Sequence, residues 1–257
     1  MIEAQKFNLW AKKQSTFQNI RVNIAAATDI GLKRKTNQDR YVINTLSDDT
    51  VLLAVADGLG GEPGGETASH HVMESLNSLT TLNNKENKTL LSFFMQMDKE
   101  LADISRKNIE LDGMATTLIT VAIKDNIAHW VHSGDSRLYH IRDSRLTQIT
   151  QDQTLSCFLI EEGELTGEQA LSHYSNHILD QCIGCQDLAP QSGTIRLETQ
   201  DRIIIASDGL YRYVSEETIC LTCRENVSNE IVAETLVNMA IDGGGNDNIT
   251  VLIATVL

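Results

Sequence analysis

Five aspartates sit where apolar, strand-like runs begin or end. LLAVAD stops at Asp57 and RIIIASD at Asp208, and each is followed by glycine. HWVHSGD ends in Asp135, GGGND places Asp247 just before NITVLIATV, and KRKTNQD puts Asp39 ahead of RYVINTL. One carboxylate at a strand end is a cap or a turn, and Asp-Gly is among the commonest turn signals. Five unrelated turns is therefore the plain reading. The other reading is convergence. Gathered like charges repel and their pKa values rise, so such a cluster is stable as anions only with cations among them. These runs offer mainly oxygen donors, which suit Mg²⁺ or Mn²⁺ and less often Ca²⁺. Five of the eight residues from Gly58 to Gly65 are glycine. They would let carbonyls and bound water approach an ion and would leave room for a substrate. Arg34, five residues before Asp39, would supply paired N–H groups to a phosphate. Flanked by Lys33 and Lys35, it reads equally as a solvated basic face.

Positioning these residues falls to recurrent β-branched runs at 21–28, 40–46, 50–57, 115–123, 127–134, 137–142, 193–198, 201–208 and 248–256. Helical spacing appears at about 64–79, 86–108, 215–224 and 228–241. Strands joined by short turns, with helices grouped rather than alternating, predict an α+β sandwich. The polar interval at about 151–190 reads as a flap inserted between strands. No linker or repeat interrupts the chain, so residues 1–257 are expected to form one domain.

The net charge of −14 argues against nucleic acid, whose phosphates would be repelled. No apolar stretch is long enough to span a membrane and the start has no signal-peptide core, which predicts a cytoplasmic protein without membrane contact. Cys182 and Cys185 form one C-x-x-C and Cys220 and Cys223 another, the pattern of a four-thiolate zinc site. The second pair, however, lies on a helical stretch where i, i+3 spacing buries both thiols beside Ile219. The pairs also lie too far apart for a zinc ribbon. Five cysteines, an odd count, disfavour a disulfide framework. His70 and His71 read as helix-surface or packing residues, and Trp10 as a packing anchor.

Together, GLKRKTNQD (31–39), VADGLGGEPGGETAS (55–69), DGMATT (112–117), GDSRLY (134–139), SDGLY (207–211) and GGNDNITV (244–251) resemble the type 2C metal-dependent protein phosphatases, in particular the bacterial single-domain serine/threonine enzymes. Six motifs in the family's order span almost the whole chain. The resemblance implies two stacked antiparallel β-sheets flanked by helices, a four-layer α-β-β-α sandwich with metals at one end. It implies two Mn²⁺ or Mg²⁺ ions bridged by Asp57, with the Gly58 carbonyl, Asp208 and Asp247 as further ligands and Asp39 holding metal-bound water. Asp135 and Asp208 match the pair that holds a third ion in bacterial members, and Arg34 matches the phosphate-binding arginine. The implied reaction is hydrolysis of phosphoserine and phosphothreonine by a metal-bridging hydroxide, on phosphorylated proteins supplied by a serine/threonine kinase; nothing in the sequence fixes the oligomeric state, and a monomer is the default expectation. Two other readings stand beside it: an inactive phosphatase-like module that binds phosphorylated partners, and a hydrolase of small phosphate esters. Three departures mark the chain. Leu59 stands where many eukaryotic members carry a histidine, Ala115 replaces a glycine, and the flap's usual Asp-His reads Asp152-Gln153.

Overall fold

The computed structural model describes residues 11–16, 21–59, 64–83, 85–170, 173–224 and 227–257. Trp10 and the loop residues Gly60 and Gly61 lie outside the described residues.

In chain order, β1 (Ala11–Thr16), β2 (Arg21–Asp29), β3 (Arg40–Thr45), β4 (Val51–Ala56) and the two-residue β5 (Gly58–Leu59) lead to helices α1 (Gly64–Asn77) and α2 (Glu86–Lys107). Then follow β6 (Ala115–Thr116), β7 (Leu118–Lys124), β8 (Ile127–Ser133), β9 (Arg137–Arg142) and β10 (Arg145–Gln148). Short helices α3 (Leu155–Glu161) and α4 (Gly167–Ala170) lie in the polar interval at about 151–190. The chain closes through β11 (Gln191–Arg196), β12 (Arg202–Ala206), the one-turn α5 (Asp208–Tyr211), α6 (Glu216–Arg224), α7 (Asn229–Asp242) and β13 (Ile249–Val256).

Two antiparallel sheets stack, one ordered β1-β2-β13-β12-β9-β10 and the other β11-β8-β7-β4-β3. Their central strands are buried on both faces, which explains why they read as unbroken apolar runs. In β4, Val51, Leu53 and Val55 point between the sheets while Leu52, Ala54 and Ala56 pack under α1 and α2. In β12, Ile203 and Ile205 face the opposite sheet while Ile204 and Ala206 meet α6 and α7. Period-two alternation thus feeds three cores, and the four-layer sandwich follows.

The expected strand over 115–123 is split: Thr117 interrupts it, with Ala115–Thr116 pairing to β5 and Leu118–Lys124 to β4 and β8. β10 was not expected, being four partly exposed residues. Its turn signal is nevertheless plain, since Asp143 and Ser144 both take positive φ, as do Asp125 and Asn126 between β7 and β8.

Cys220 and Cys223 pack toward the core beside Ile219, as their spacing predicts. Burial pushes the Cys223 thiol up to about 12. Cys223 is therefore expected to stay unmodified by iodoacetamide at about pH 8 while the folded protein persists, with Cys157, less deeply buried, reacting first. Peptide mass mapping reads this directly, and equal labelling would contradict the packing. Cys182 and Cys185 are bridged, their Cα atoms 5.4 Å apart. A loop this short gains little from cross-linking, so the bridge is local and no framework. Cys182 and Cys185 lie in the segment before β11, and Cys220 and Cys223 lie in α6. His70 and His71 sit on α1 opposite Glu74 and Glu100, at 3.5 Å and 3.0 Å.

Candidate active site

Strand register brings the five aspartates to one end of the sandwich. Arg40 at the start of β3 pairs with Ala56 at the end of β4, so Asp39 and Asp57 share that edge. Val55 pairs with Ile119 and Leu118 with Ser133, which carries the same edge to Asp135. Arg137 then pairs with Ala206 and Ala206 with Val251, placing Asp208 and Asp247 there too.

Backbone and side-chain hydrogen bonds fix each one. Thr117 N and Thr116 Oγ1 both donate to the Asp57 carbonyl, at 2.9 Å each, and Asp57 N donates to Thr117 Oγ1 at 3.0 Å. The two threonines of DGMATT are thus a clamp on Asp57. Ser207 Oγ donates to Asp39 Oδ2 at 2.7 Å and accepts from Thr250 N at 2.9 Å, joining the loop before β3 to the β12–β13 pair. Asn248, buried, accepts from Gln38 N at 2.9 Å and donates to the carbonyls of Ile30 and Thr36 at 2.9 and 3.1 Å. The Tyr211 hydroxyl donates to the Asp135 carbonyl at 2.9 Å, and the Arg137 guanidinium lies 3.6 Å over the Tyr211 ring while it grips Asp152 at 2.7 Å. Gln153 N donates to the Gly134 carbonyl at 2.8 Å and Gln153 Oε1 accepts from Gly134 N at 3.0 Å, so this departure ties the start of the 151–190 interval to the residue before Asp135.

The glycines have a tighter reason than room for ions. A Cβ on Gly58 would lie 2.2 Å from the Gly65 carbonyl oxygen, because α1 packs its first turn against β5 backbone to backbone. Gly31 has φ +75° and a Cβ there would meet the Asp247 carbonyl oxygen at 2.2 Å.

Electrostatically the five carboxylates act on one another. Burial, and then the charges of Asp39, Asp208, Asp135 and Asp247, push Asp57 well above the usual carboxylate range. Asp208 is raised likewise by burial and by Asp135, with Arg212 opposing. Burial lifts Asp39 to about 6 against the Ser207 hydrogen bond, and burial with Asp152 lifts Asp135 to about 6 against Arg212. Two guanidinium groups offset part of the charge. Arg34 Nη2 lies 2.8 Å from Asp247 Oδ2, and Arg212 Nη2 lies 2.5 Å from Asp208 Oδ2. Among the described residues no three His, Cys, Asp or Glu side chains stand as a ready metal-holding group. The donor chemistry nonetheless fits hard divalent cations: Asp39 Oδ1 and Asp208 Oδ1 are buried and lack any hydrogen-bond partner.

Sequence reasoning did not single out Thr116, Thr117, Arg137, Ser207, Tyr211, Arg212 or Asn248 as individual contributors. All but Asn248 and Arg212 have a signal in hindsight only as hydroxyls, a ring or a guanidinium inside the quoted motifs. Asn248 also sits inside one, and Arg212 in none.

Fold and site together define an α-β-β-α sandwich that carries an acidic cluster at one end. Residues 33–240 match the family model described as Protein phosphatase 2C. The chain belongs to that family. It is 34% identical over 247 residues to the protein phosphatase PhpP of Streptococcus pneumoniae, across 91% of this chain and 97% of PhpP. The serine/threonine phosphatase of S. agalactiae superposes with a TM-score of 0.86 at 29% identity, covering 91% of this chain and 99% of that one. The catalytic domain of PstP in complex with two manganese ions superposes with a TM-score of 0.78 at 33% identity, covering 93% of this chain and 99% of that domain. The chain spans 45% of full-length PstP from Mycobacterium tuberculosis. Among the described residues no helix is long and apolar enough to cross a membrane.

Proposed function

We propose that this chain hydrolyses phosphoserine and phosphothreonine on proteins with the help of two manganese or magnesium ions, in one phosphatase domain whose segment at about 151–190 is a flap. The buried, unpartnered Oδ1 atoms of Asp39 and Asp208, set among carboxylates whose affinity for protons is raised, carry this reading. Such oxygens are satisfied either by protons or by cations, and near neutral pH divalent ions win where several carboxylates share one place. Asp57, the Gly58 carbonyl, Asp208 and Asp247 would hold the ions, and Asp39 would hold water on them. PstP's two manganese ions support the same ion class here. Bound there, the ions would supply a water of lowered pKa and neutralise the phosphoryl oxygens.

The chain's own groups do the rest. Arg34 is half exposed and gives one nitrogen to Asp247. A guanidinium has five N–H donors, so others remain to orient two phosphoryl oxygens. Ser207 keeps Asp39 aimed at the cluster, and the Thr116–Thr117 clamp keeps Asp57 there. Leu59 follows Gly58 and has no proton to give, so solvent protonates the leaving seryl or threonyl oxygen. Because the substrate is a phosphoprotein, a protein kinase must precede this enzyme. Neither the binding-module reading nor the small-ester reading gains support from the relatives.

Turnover of a phosphothreonine peptide is expected to require Mn²⁺ or Mg²⁺, to fall at least about a hundredfold in excess chelator and to return on adding Mn²⁺. Full turnover in chelator would refute the proposal.

A further inference from the structure

We propose that the Arg212 guanidinium holds the place of a third cation, so that this chain loads two divalent ions where its motifs alone suggest three. The inference rests on the two-ion reading above.

Asp208 opens the single turn of α5, and Arg212 N donates to the Asp208 carbonyl at 3.1 Å. Arg212 itself has helical backbone angles, φ −68° and ψ −23°, so its side chain rises from the same face as Asp208, one turn along. From there Nη2 is 2.5 Å from Asp208 Oδ2 and 4.0 Å from Asp135 Oδ2. Those are the two carboxylates that the motif match assigns to a third ion. Asp208 therefore divides its oxygens. Oδ2 belongs to Arg212, while Oδ1 is buried, unpartnered and left for the ion pair.

A divalent ion between Asp135 and Asp208 would need the oxygen that Arg212 already holds and would sit beside a fixed positive charge. The guanidinium has no neutral form to retreat to. Asp135 is buried, and its main chain is pinned by the Tyr211 hydroxyl, whose ring is in turn capped by Arg137. Arg212 is thus a positioning residue. It supplies one positive charge in a set direction and leaves the two-ion place intact.

The test is manganese stoichiometry by equilibrium dialysis with elemental analysis, together with manganese anomalous-difference maps from crystals equilibrated in Mn²⁺. Wild type and Arg212→Lys are expected to hold about two ions per chain, and Arg212→Met about three, with the added peak between Asp135 and Asp208. A peak at that place in wild type would overturn the inference. So would two ions in an Arg212→Met protein whose melting curve shows it folded. Should Arg212→Met fail to fold, the wild-type and Arg212→Lys maps still decide. Wild type holding no manganese would overturn the two-ion reading and this inference with it, so the two failures give different counts.

Discussion

Asp208→Asn is expected to lower kcat on a phosphothreonine peptide by at least about a hundredfold while leaving the protein folded. The substitution keeps the shape of the side chain and removes one buried charge. That charge has two employments: Oδ2 pairs with Arg212 at 2.5 Å, and Oδ1 is buried with no partner. An amide can still meet Arg212 through its oxygen, so the local turn survives. What it cannot do is offer a second anionic oxygen to a divalent ion. The repulsion among Asp135, Asp208, Asp247 and Asp39 is also relieved, which works against any loss of stability. Weakened Mn²⁺ binding should accompany the fall in kcat, since both arise from the same missing charge. Steady-state kinetics and Mn²⁺ titration measure the two effects separately. Turnover and Mn²⁺ affinity both close to wild type would remove Asp208 from the catalytic centre.

The second large effect is expected at Asn248, which has no charge and no role in the chemistry. Asn248→Ala deletes one acceptor and two donor contacts at once, to Gln38 N and to the carbonyls of Ile30 and Thr36. Asn248 is 2% exposed, so water does not replace these partners freely. Each buried group left unsatisfied costs about 1–3 kcal/mol. Partial relaxation of the loop argues for a total of roughly 3 kcal/mol, which for a chain of this size lowers Tm by on the order of 10 °C. Activity should fall as well, because the loop from Ile30 to Gln38 carries Arg34 and delivers Asp39. Asn246→Ala, two residues away and exposed, serves as the control and is expected to shift Tm by less than about 2 °C. If the two alanine variants melt alike, Asn248 is not the tie that the hydrogen bonds describe.

Much of the frame could be read from the residues. β4, β12 and β13 are legible as apolar runs because each strand buries both faces, one against the other sheet and one against helices. α2 and α7 are legible because each buries a single stripe. Less legible were elements that are short or lack a buried face of their own. β10 is a four-residue edge strand, and α5 is one turn placed after an Asp-Gly that reads as a strand end. β7 was legible but too long in prospect, since nothing in ATTLITVAI says that Thr117 leaves the ladder to clamp Asp57.

By itself, then, the sequence determined the donor set: aspartates at strand termini, a run of glycines after one of them, an arginine ahead of Asp39, and an order of motifs that resembles one family. These are properties of residue type and spacing, and both survive without coordinates. Only the tertiary structure decided which groups answer which charge. Arg212 meets Asp208 and Asp135, Ser207 meets Asp39, and Asn248 meets Gln38, in two of these cases across more than 160 residues of chain. Such pairings depend on strand register and on a single helical turn, and a shift of one residue in either would have redirected them.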